Sequence, residues 1–284
     1  MKHAYLILAH HEFTLLQTLI DCLDDVRNDI YVHIDKKVKL IPALRAENAK
    51  LTLVLKNRTD VRWGDYSVVE AEFALFEAAQ KNGPYAYYHL MSGVDLPLKS
   101  QDYIHRFFDS HNGKEFIGYT LTQMTPEIVR KVQRWHLFPG DFKNKSTLKR
   151  ALRAFWIRVQ ELFGYKRNRR VDFKKGSQWV SVTEKMVRCF LDNRNWAQKV
   201  FTHTFCSDEM VFQTLCWQSP MRFALYNTTD DGKGCMRAIG WRDGELTDWC
   251  AADYDSLAAS PALFARKFNG SDMEFIQKIA ALTK

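Results

Sequence analysis

The sequence lacks several features that mark large classes of protein. No run approaches the ~18 uninterrupted apolar residues of a membrane span, and the N-terminus has one short apolar run without the cleavage site of a signal peptide. No Cys-x-x-Cys pair occurs, so zinc and redox motifs are not indicated. Free cytoplasmic thiols are the simplest expectation for the six cysteines, Cys22, Cys189, Cys206, Cys216, Cys235 and Cys250.

Excess charge is confined to one segment of the chain. Residues 143–175 contain 12 Lys and Arg against Glu161 and Asp172, a net charge of +10, whereas the remaining 29 basic and 31 acidic residues give −2. A local basic patch does not by itself imply nucleic acid, and no RNA- or DNA-binding motif accompanies this one. We therefore expect no nucleic-acid partner.

The basic segment also has the pattern of an amphipathic helix. Its apolar stripe consists of Leu148, Leu152, Phe155, Trp156, Val159, Leu162 and Phe163. Two interpretations are open: the helix lies on an anionic membrane surface, or its stripe packs on the protein core and its basic face is solvated. We treat 143–175 as a helical insertion in a single domain of residues 1–284 and keep peripheral membrane contact as a hypothesis.

Strands and helices alternate along the first part of the chain. A buried-strand run over residues 4–9, a helical face over 14–23 and a strand over 30–35 form a βαβ unit. The alternation continues with strands expected at 52–55 and 87–91 and helices at 68–79 and 101–108. This order predicts an α/β fold with a mostly parallel central sheet, in which ligands bind at the carboxyl ends of the strands.

Four side chains are candidates for that ligand site. His10 and Asp35 stand at the ends of the first two strands, Trp63 lies on a loop before a helix, and Asp95 follows the strand at 87–91. Asp35 could accept hydrogen bonds from a ribose or base and Trp63 could stack on a base, although a solvated strand end and a packing plug explain them equally well. Asp95 is the only carboxylate in its segment, and one carboxylate is a poor site for a divalent metal ion. If the ligand carries a diphosphate, as nucleotide-sugars do, a metal-free site would need fixed cationic side chains opposite it.

Residues 207–215 supply the candidate catalytic group. Ser207 suits a helix N-cap and Asp208 suits the positive end of the helix. That leaves Glu209 in the first turn, beside apolar neighbours, as a carboxylate able to take a proton. A capping cluster without chemistry is the alternative for this segment taken alone.

Six sequence blocks occur in order along nearly the whole chain. They are Tyr31-Val-His-Ile-Asp35, Arg62-Trp-Gly-x-x-Ser67-Val-Val-x-Ala71, Ser92-Gly-Val-Asp-Leu-Pro-Leu98, Gly176-Ser-Gln-Trp-Val-Ser-Val-Thr183, Ser207-Asp-Glu-x-x-x-x-Thr-Leu215 and Leu263-Phe-Ala-Arg-Lys-Phe268. Together they resemble glycosyltransferase family 14, the core-2/I-branching β-1,6-N-acetylglucosaminyltransferases and peptide O-xylosyltransferases. The chain lacks the anchor, stem and disulfide framework of animal members and has Ser207 in place of a proline, so it is more similar to the bacterial branch.

The resemblance implies a GT-A-like fold and an inverting, metal-independent transfer from a UDP-sugar to a saccharide hydroxyl, in bacterial surface polysaccharide or glycan synthesis. N-acetylglucosamine is the expected sugar, and no cofactor is implied. Glu209 would act as general base. Lys267, together with either Arg237 or Arg242, would hold the diphosphate of the leaving group.

The resemblance also places the remaining candidates around the substrates. Uridine would be lined by His10, Asp35, Trp63 and Asp95. The sugar or acceptor would contact Trp179, Trp241 and Gln178. The acceptor would be a saccharide or a lipid-linked saccharide, met in the cytoplasm or at the inner face of the membrane. The alternatives are a xylosyl- or galactosyltransferase on the same scaffold, or a non-catalytic UDP- or glycan-binding protein or membrane adaptor.

Overall fold

A six-stranded sheet runs through the centre of the protein. The structure, a computed structural model, describes residues 1–56, 58–120, 122–143 and 146–284. The strands are β1 His3–Ala9, β2 Asn28–Ile34, β3 Lys50–Leu53, β4 Tyr87–Ser92, β5 Leu96–Pro97, β6 Phe116–Ile117, β7 Val180–Thr183, β8 Arg237–Ile239, β9 Trp241–Arg242, β10 Glu245–Leu246 and β11 Phe264–Arg266. The central sheet has the order β3-β2-β1-β4-β7-β6, with β3 to β4 parallel and β7 antiparallel to both of its neighbours. The predicted α/β class with a mostly parallel central sheet is confirmed.

Helices cover both faces of this sheet. They are α1 Phe13–Leu23, α2 Ser67–Gln80, α3 Gln101–Ser110, α4 Pro126–Val132, α5 Thr147–Leu162, α6 Glu184–Asp192, α7 Arg194–Phe201, α8 Val211–Gln218, α9 Asp231–Cys235, α10 Tyr254–Ala258 and α11 Met273–Ala280. Strand β1 is buried on both of its faces. Leu6 packs in the layer with α2, α6 and α8, whereas Tyr5 and Ile7 pack in the layer with α1, α3 and α11. A strand buried on both faces has no polar alternation.

The carboxyl ends of the central parallel strands meet at one edge of the sheet. The Asp35 amide donates to the Ala9 carbonyl, and the Gly93 amide donates to the Leu8 carbonyl. These bonds bring the loops after β1, β2 and β4 together. They include His10, Asp35 and Asp95, three of the predicted ligand residues.

A smaller sheet joins two sequence blocks that lie far apart in the chain. In the order β5-β11-β8, β11 runs antiparallel to β5 and parallel to β8. The Phe268 amide donates to the Val94 carbonyl at 2.9 Å, beyond the end of β11. The last block therefore borders the loop that carries Asp95.

Helix α5 does not pack on the protein through its apolar stripe. Its buried residues are Ile157 and Gln160, whereas Phe155 and Leu162 of the apolar stripe are exposed to solvent. The expectation that the stripe would pack on the core is therefore wrong. The reason is that the opposite, more polar face of the helix is the one bonded to the protein.

Two further findings concern the state of the cysteines and the length of the helices. All six cysteines are free thiols, as expected. Within the described part of the chain, no helix combines the length and the apolar character needed to cross a membrane.

Candidate active site

The Ser-Asp-Glu segment forms a 3-10 turn ahead of α8. The turn covers Ser207–Glu209, and the helix begins only at Val211. It is preceded by Cys206 in the left-handed region, at φ +52°, whose amide donates to the Gly64 carbonyl at 2.9 Å. The Ser207 Oγ is buried without a hydrogen-bond partner among the described residues, so the predicted N-cap is wrong. The chain reversal at Cys206, held by Gly64, sets the position of the acidic pair.

Glu209 lies between two lysines that the sequence analysis did not single out. Its side chain is 35% exposed, and its Oε2 is 3.4 Å from Lys131 Nζ and 3.5 Å from Lys175 Nζ. The same two ammonium groups lie 3.1 and 3.7 Å from Glu127 Oε1. Burial lowers the pKa of Lys131, but the charges of Glu209 and Glu127 outweigh it and the net pKa is raised. Glu209 is thus an oriented, accessible carboxylate in a charge-balanced cluster.

Asp208 and Glu72, two acidic side chains that each have a shielded oxygen atom, form a pair next to this cluster. Asp208 is partly accessible, but its Oδ1 is shielded and has no hydrogen-bond partner in the described part of the chain. Burial, with the nearby charge of Glu209, raises the pKa of Asp208 to about 7. Glu72 is fully buried, and burial with the charge of Asp208 raises its pKa well above the usual range. Gln178 donates from Nε2 to Glu72 Oε1 at 2.6 Å, so it is engaged with this pair.

The backbone of the Gly-Ser-Gln-Trp block forms hydrogen bonds with two acidic residues of the site. The Gly176 amide donates to the Glu209 carbonyl at 2.9 Å, and the Ser177 amide donates to Asp231 Oδ1 at 2.7 Å. A Cβ on Gly176 would lie 1.9 Å from the Gly118 carbonyl oxygen. Glycine is required because two backbone segments approach each other closely beside the candidate base.

Arg266 joins two candidates that the sequence analysis placed at separate subsites. Its guanidinium lies 4.2 Å from the centre of the Trp179 ring, and its Nη1 is 3.5 Å from Asp95 Oδ1. Trp179 is 6% exposed and Asp95 is 1% exposed. In this structure the indole face of Trp179 is covered by Arg266, and the Asp95 carboxylate pairs with it and with the Ser92 amide. Both side chains support the site from within. Arg266, missed by sequence reasoning, was adjacent to Lys267 in the last block.

An open cleft of about 460 Å³ borders the cluster. Its lining includes Thr120, Asp231 and Trp241, and Trp241 is 60% exposed. Burial is the largest effect on the pKa of Asp231, which is raised overall, and the charge of Glu209 raises it further. The hydrogen bond from the Ser177 amide and the charge of Lys175 lower this pKa by less. The Thr120 amide donates to the Lys175 carbonyl at 2.9 Å, so the cleft adjoins a lysine that contacts Glu209.

The two arginine candidates differ sharply in their surroundings. Arg237 is 3% exposed, and its Nη2 donates to the carbonyls of Val180 at 3.1 Å and Leu90 at 3.3 Å. Arg242 lies on the exposed hairpin β9–β10, where it pairs with Asp253. Arg237 therefore holds the floor of the cleft together, and only Arg242 of the two extends into solvent.

Lys267 lies near Arg242. Its backbone carbonyl accepts the amide of Trp249, and the guanidinium of Arg242 lies 5.7 Å from the Trp249 ring. The Lys267 Nζ is 3.2 Å from Asp248 Oδ1, with 37% of the side chain exposed. Both are surface cations.

The predicted nucleotide side forms a second cluster. Lys37 Nζ is 2.9 Å from Asp35 Oδ2, and Lys143 Nζ lies 5.0 Å from the Trp63 ring centre. Burial is the largest effect lowering the pKa of His10; the charge of Asp35 opposes it, and those of Lys37 and Lys143 reinforce it. The structure thus gathers His10, Asp35 and Trp63, and in the neighbouring loop after β4 the Asp95 carboxylate pairs with Arg266.

An aromatic contact connects this cluster to Glu209. The rings of Trp63 and Phe205 are 5.5 Å apart, and Phe205 lies four residues before Glu209. In the described ranges, no group of three or more His, Cys, Asp or Glu side chains could hold a metal ion.

The comparisons with known proteins address the family. The family model Branch, described as core-2/I-branching enzyme, matches residues 3–279. A comparison with curated proteins gives no significant match. Among solved structures, mouse xyloside xylosyltransferase 1 in its apo form is similar over 95% of this chain and 98% of its own, with 8% identity and a TM-score of 0.39. The family match spans nearly the whole chain: the protein belongs to the core-2/I-branching enzyme family and is a glycosyltransferase.

Proposed function

We propose that this glycosyltransferase moves a sugar, N-acetylglucosamine in the first instance, from a UDP-sugar to a saccharide hydroxyl with inversion and without a metal ion. The observation that carries the proposal is Glu209, an accessible carboxylate fixed by Lys131 and Lys175. The Lys175 carbonyl in turn accepts a hydrogen bond from the backbone amide of Thr120, a residue that lines the open cleft. Its setting in bacterial surface polysaccharide or glycan synthesis is part of the same proposal.

In the proposed step, Glu209 takes the proton of the acceptor hydroxyl as that oxygen attacks the anomeric carbon. The bond from the anomeric carbon to the UDP oxygen breaks on the opposite side, and UDP leaves with the electron pair. Both lysine contacts go to Oε2, so we assign the proton transfer to Oε1. Proton transfer by a positioned carboxylate contributes about 10²–10⁴-fold in rate.

The substitution Glu209→Gln tests the assignment. It should retain UDP binding, measured by titration calorimetry, and lower the transfer rate by about 10²-fold or more, because the amide cannot take the proton. Glu127→Gln is a matched control, since Glu127 contacts the same two lysines. It should keep transfer. Full turnover by Glu209→Gln would remove Glu209 from the mechanism.

Lys267 and Arg242 are the cations we assign to the diphosphate. Both are exposed near Trp249, and fixed cations can stabilise the charge of departing UDP. Lys267→Ala should weaken UDP binding about tenfold, as expected for loss of a charge-assisted hydrogen bond. Lys278→Ala, which removes an exposed lysine paired only along its own helix, is the control.

Chelation tests the metal-free part of the scheme. EDTA should leave the transfer rate unchanged. If chelation abolished the activity and manganese restored it, the metal-free scheme would be rejected.

The identity of the donor separates the remaining alternatives. Ligands that bind the native state raise its unfolding temperature, so a panel of UDP-sugars screened by thermal shift should rank the sugars. Preference for UDP-xylose or UDP-galactose would replace N-acetylglucosamine. UDP binding without hydrolysis or transfer for any donor would favour a non-catalytic binding role.

The proposal places the protein in the cytoplasm, with residues 143–175 at the inner face of the membrane. A lipid-linked saccharide would be met there. The net charge of +10 in this segment supports attraction to anionic headgroups.

A further inference from the structure

The apolar stripe of α5 forms a continuous hydrophobic surface on the outside of the protein. Its large side chains are between 37% and 81% exposed, namely Leu148, Leu152, Phe155, Trp156, Leu162 and Phe163. Together with the half-buried Val159, they occupy positions three or four residues apart along a 16-residue helix, which is about 24 Å long. A stripe of this size on a soluble protein marks an interaction surface.

The opposite face of α5 fixes the helix in this orientation. Gln160 accepts the Trp135 amide at 2.8 Å and donates to the Trp135 carbonyl at 3.0 Å. Near the other end, Lys149 pairs with Asp141, and Arg153 donates to the Asp141 carbonyl at 3.2 Å. Rotating the stripe inward would break these bonds. The outward stripe is therefore a stable property of the fold.

Positive charge surrounds the stripe. Arg150 and Arg158 on α5 are exposed, as are Lys166, Arg169 and Arg170 just beyond it. A second copy of the chain would oppose one +10 segment with another, so self-association through this face is electrostatically unfavourable. An anionic bilayer offers both an apolar interior and negative headgroups, and it matches the two properties of the surface at once.

We propose that α5 docks on an anionic phospholipid bilayer, with its aromatic and leucine side chains inserted at the headgroup boundary and its arginines on the headgroups. The segment that leads into α5 adjoins the candidate site: the rings of Phe142 and Phe205 are 4.6 Å apart, and Lys143 lies over Trp63. Docking would hold the cleft close to the membrane surface. The inference rests on the proposed function only in taking a lipid-linked saccharide as acceptor.

Vesicle flotation with the full chain tests the docking. The wild type should bind vesicles containing phosphatidylglycerol and fail to bind phosphatidylcholine alone, and salt should weaken the binding. The double variant Phe155→Ser with Phe163→Ser should bind at least tenfold more weakly, because two exposed side chains no longer enter the bilayer. Phe223→Ser removes a phenylalanine that is 77% exposed and lies against Arg222 at another surface, and it should bind like the wild type.

Several outcomes would overturn the proposal. They are no binding to anionic vesicles, equal binding by the double variant, and equal binding to neutral vesicles. A dimer in light scattering that the double variant dissociates, without vesicle binding, would assign the surface to a second copy. UDP binding by the same variants is measured separately. The proposed function can then fail while docking stands, or the reverse.

Discussion

Alanine at Gly176 should damage the candidate site more than alanine at any other glycine of the chain. The new Cβ would lie 1.9 Å from the Gly118 carbonyl oxygen and 2.6 Å from its carbonyl carbon, both backbone atoms. A carbon–oxygen contact needs roughly 3.2 Å, so the two segments must separate by more than about 1 Å. The displaced backbone is the one that bonds Glu209 and Asp231.

Two costs follow from that displacement. Overpacking a core usually costs roughly 1–3 kcal/mol, and a clash with backbone atoms should lie at the upper end of that range. Weakening the two hydrogen bonds should add about 1 kcal/mol for each. We expect a loss of about 3–5 kcal/mol in the free energy of unfolding, measured by urea titration. A shift of about 1 Å at Glu209 should lower kcat/KM for transfer by about 10²-fold.

Gly113→Ala separates the site effect from a general loss of stability. Gly113 has φ +83° and no atom within 4 Å of a new Cβ, so alanine there costs about 1–2 kcal/mol of backbone strain without touching the site. It should transfer at the wild-type rate. A Gly176→Ala protein with wild-type stability and wild-type transfer would refute the reasoning that close backbone approach builds the site.

Two further predictions concern buried charge. Burial raises the pKa of Glu115 from 4.5 to about 7, so the folded state holds this proton to higher pH than the unfolded state does. Raising the pH from 5 to 8 should therefore cost the wild type about 2.5 kcal/mol of stability that Glu115→Gln does not lose, as measured by urea unfolding at each pH. Arg266→Met should cost about 3–5 kcal/mol in the same assay, because it leaves the Asp95 carboxylate buried and unpaired, and adding Asp95→Asn should recover part of the loss.

Each of these predictions has its own check. Identical pH slopes for the wild type and Glu115→Gln would show that the Glu115 carboxyl is not held protonated. A double Asp95/Arg266 variant no more stable than Arg266→Met would show that the two side chains do not interact energetically.

The fold was largely predictable because its signals are local. The expected helix over 14–23 and strand over 30–35 correspond to Phe13–Leu23 and Asn28–Ile34, since the spacing of apolar residues determines both. The Ser207 cap was wrong because a distant partner, the Gly64 carbonyl, holds Cys206 in a turn that no local pattern reveals. The apolar stripe of α5 was correctly identified, but which face packs on the protein depends on Trp135 and Asp141.

The sequence by itself determined the order of strands and helices up to residue 108, the six blocks and the acidic pair at 208–209, because periodicity and spacing are properties of neighbouring residues. The tertiary structure alone decided which charges meet. It placed Lys131 and Lys175 on Glu209 and buried Arg237 among carbonyl groups. Such pairings depend on backbone segments far apart in the chain, whose distance and burial no single stretch of sequence specifies.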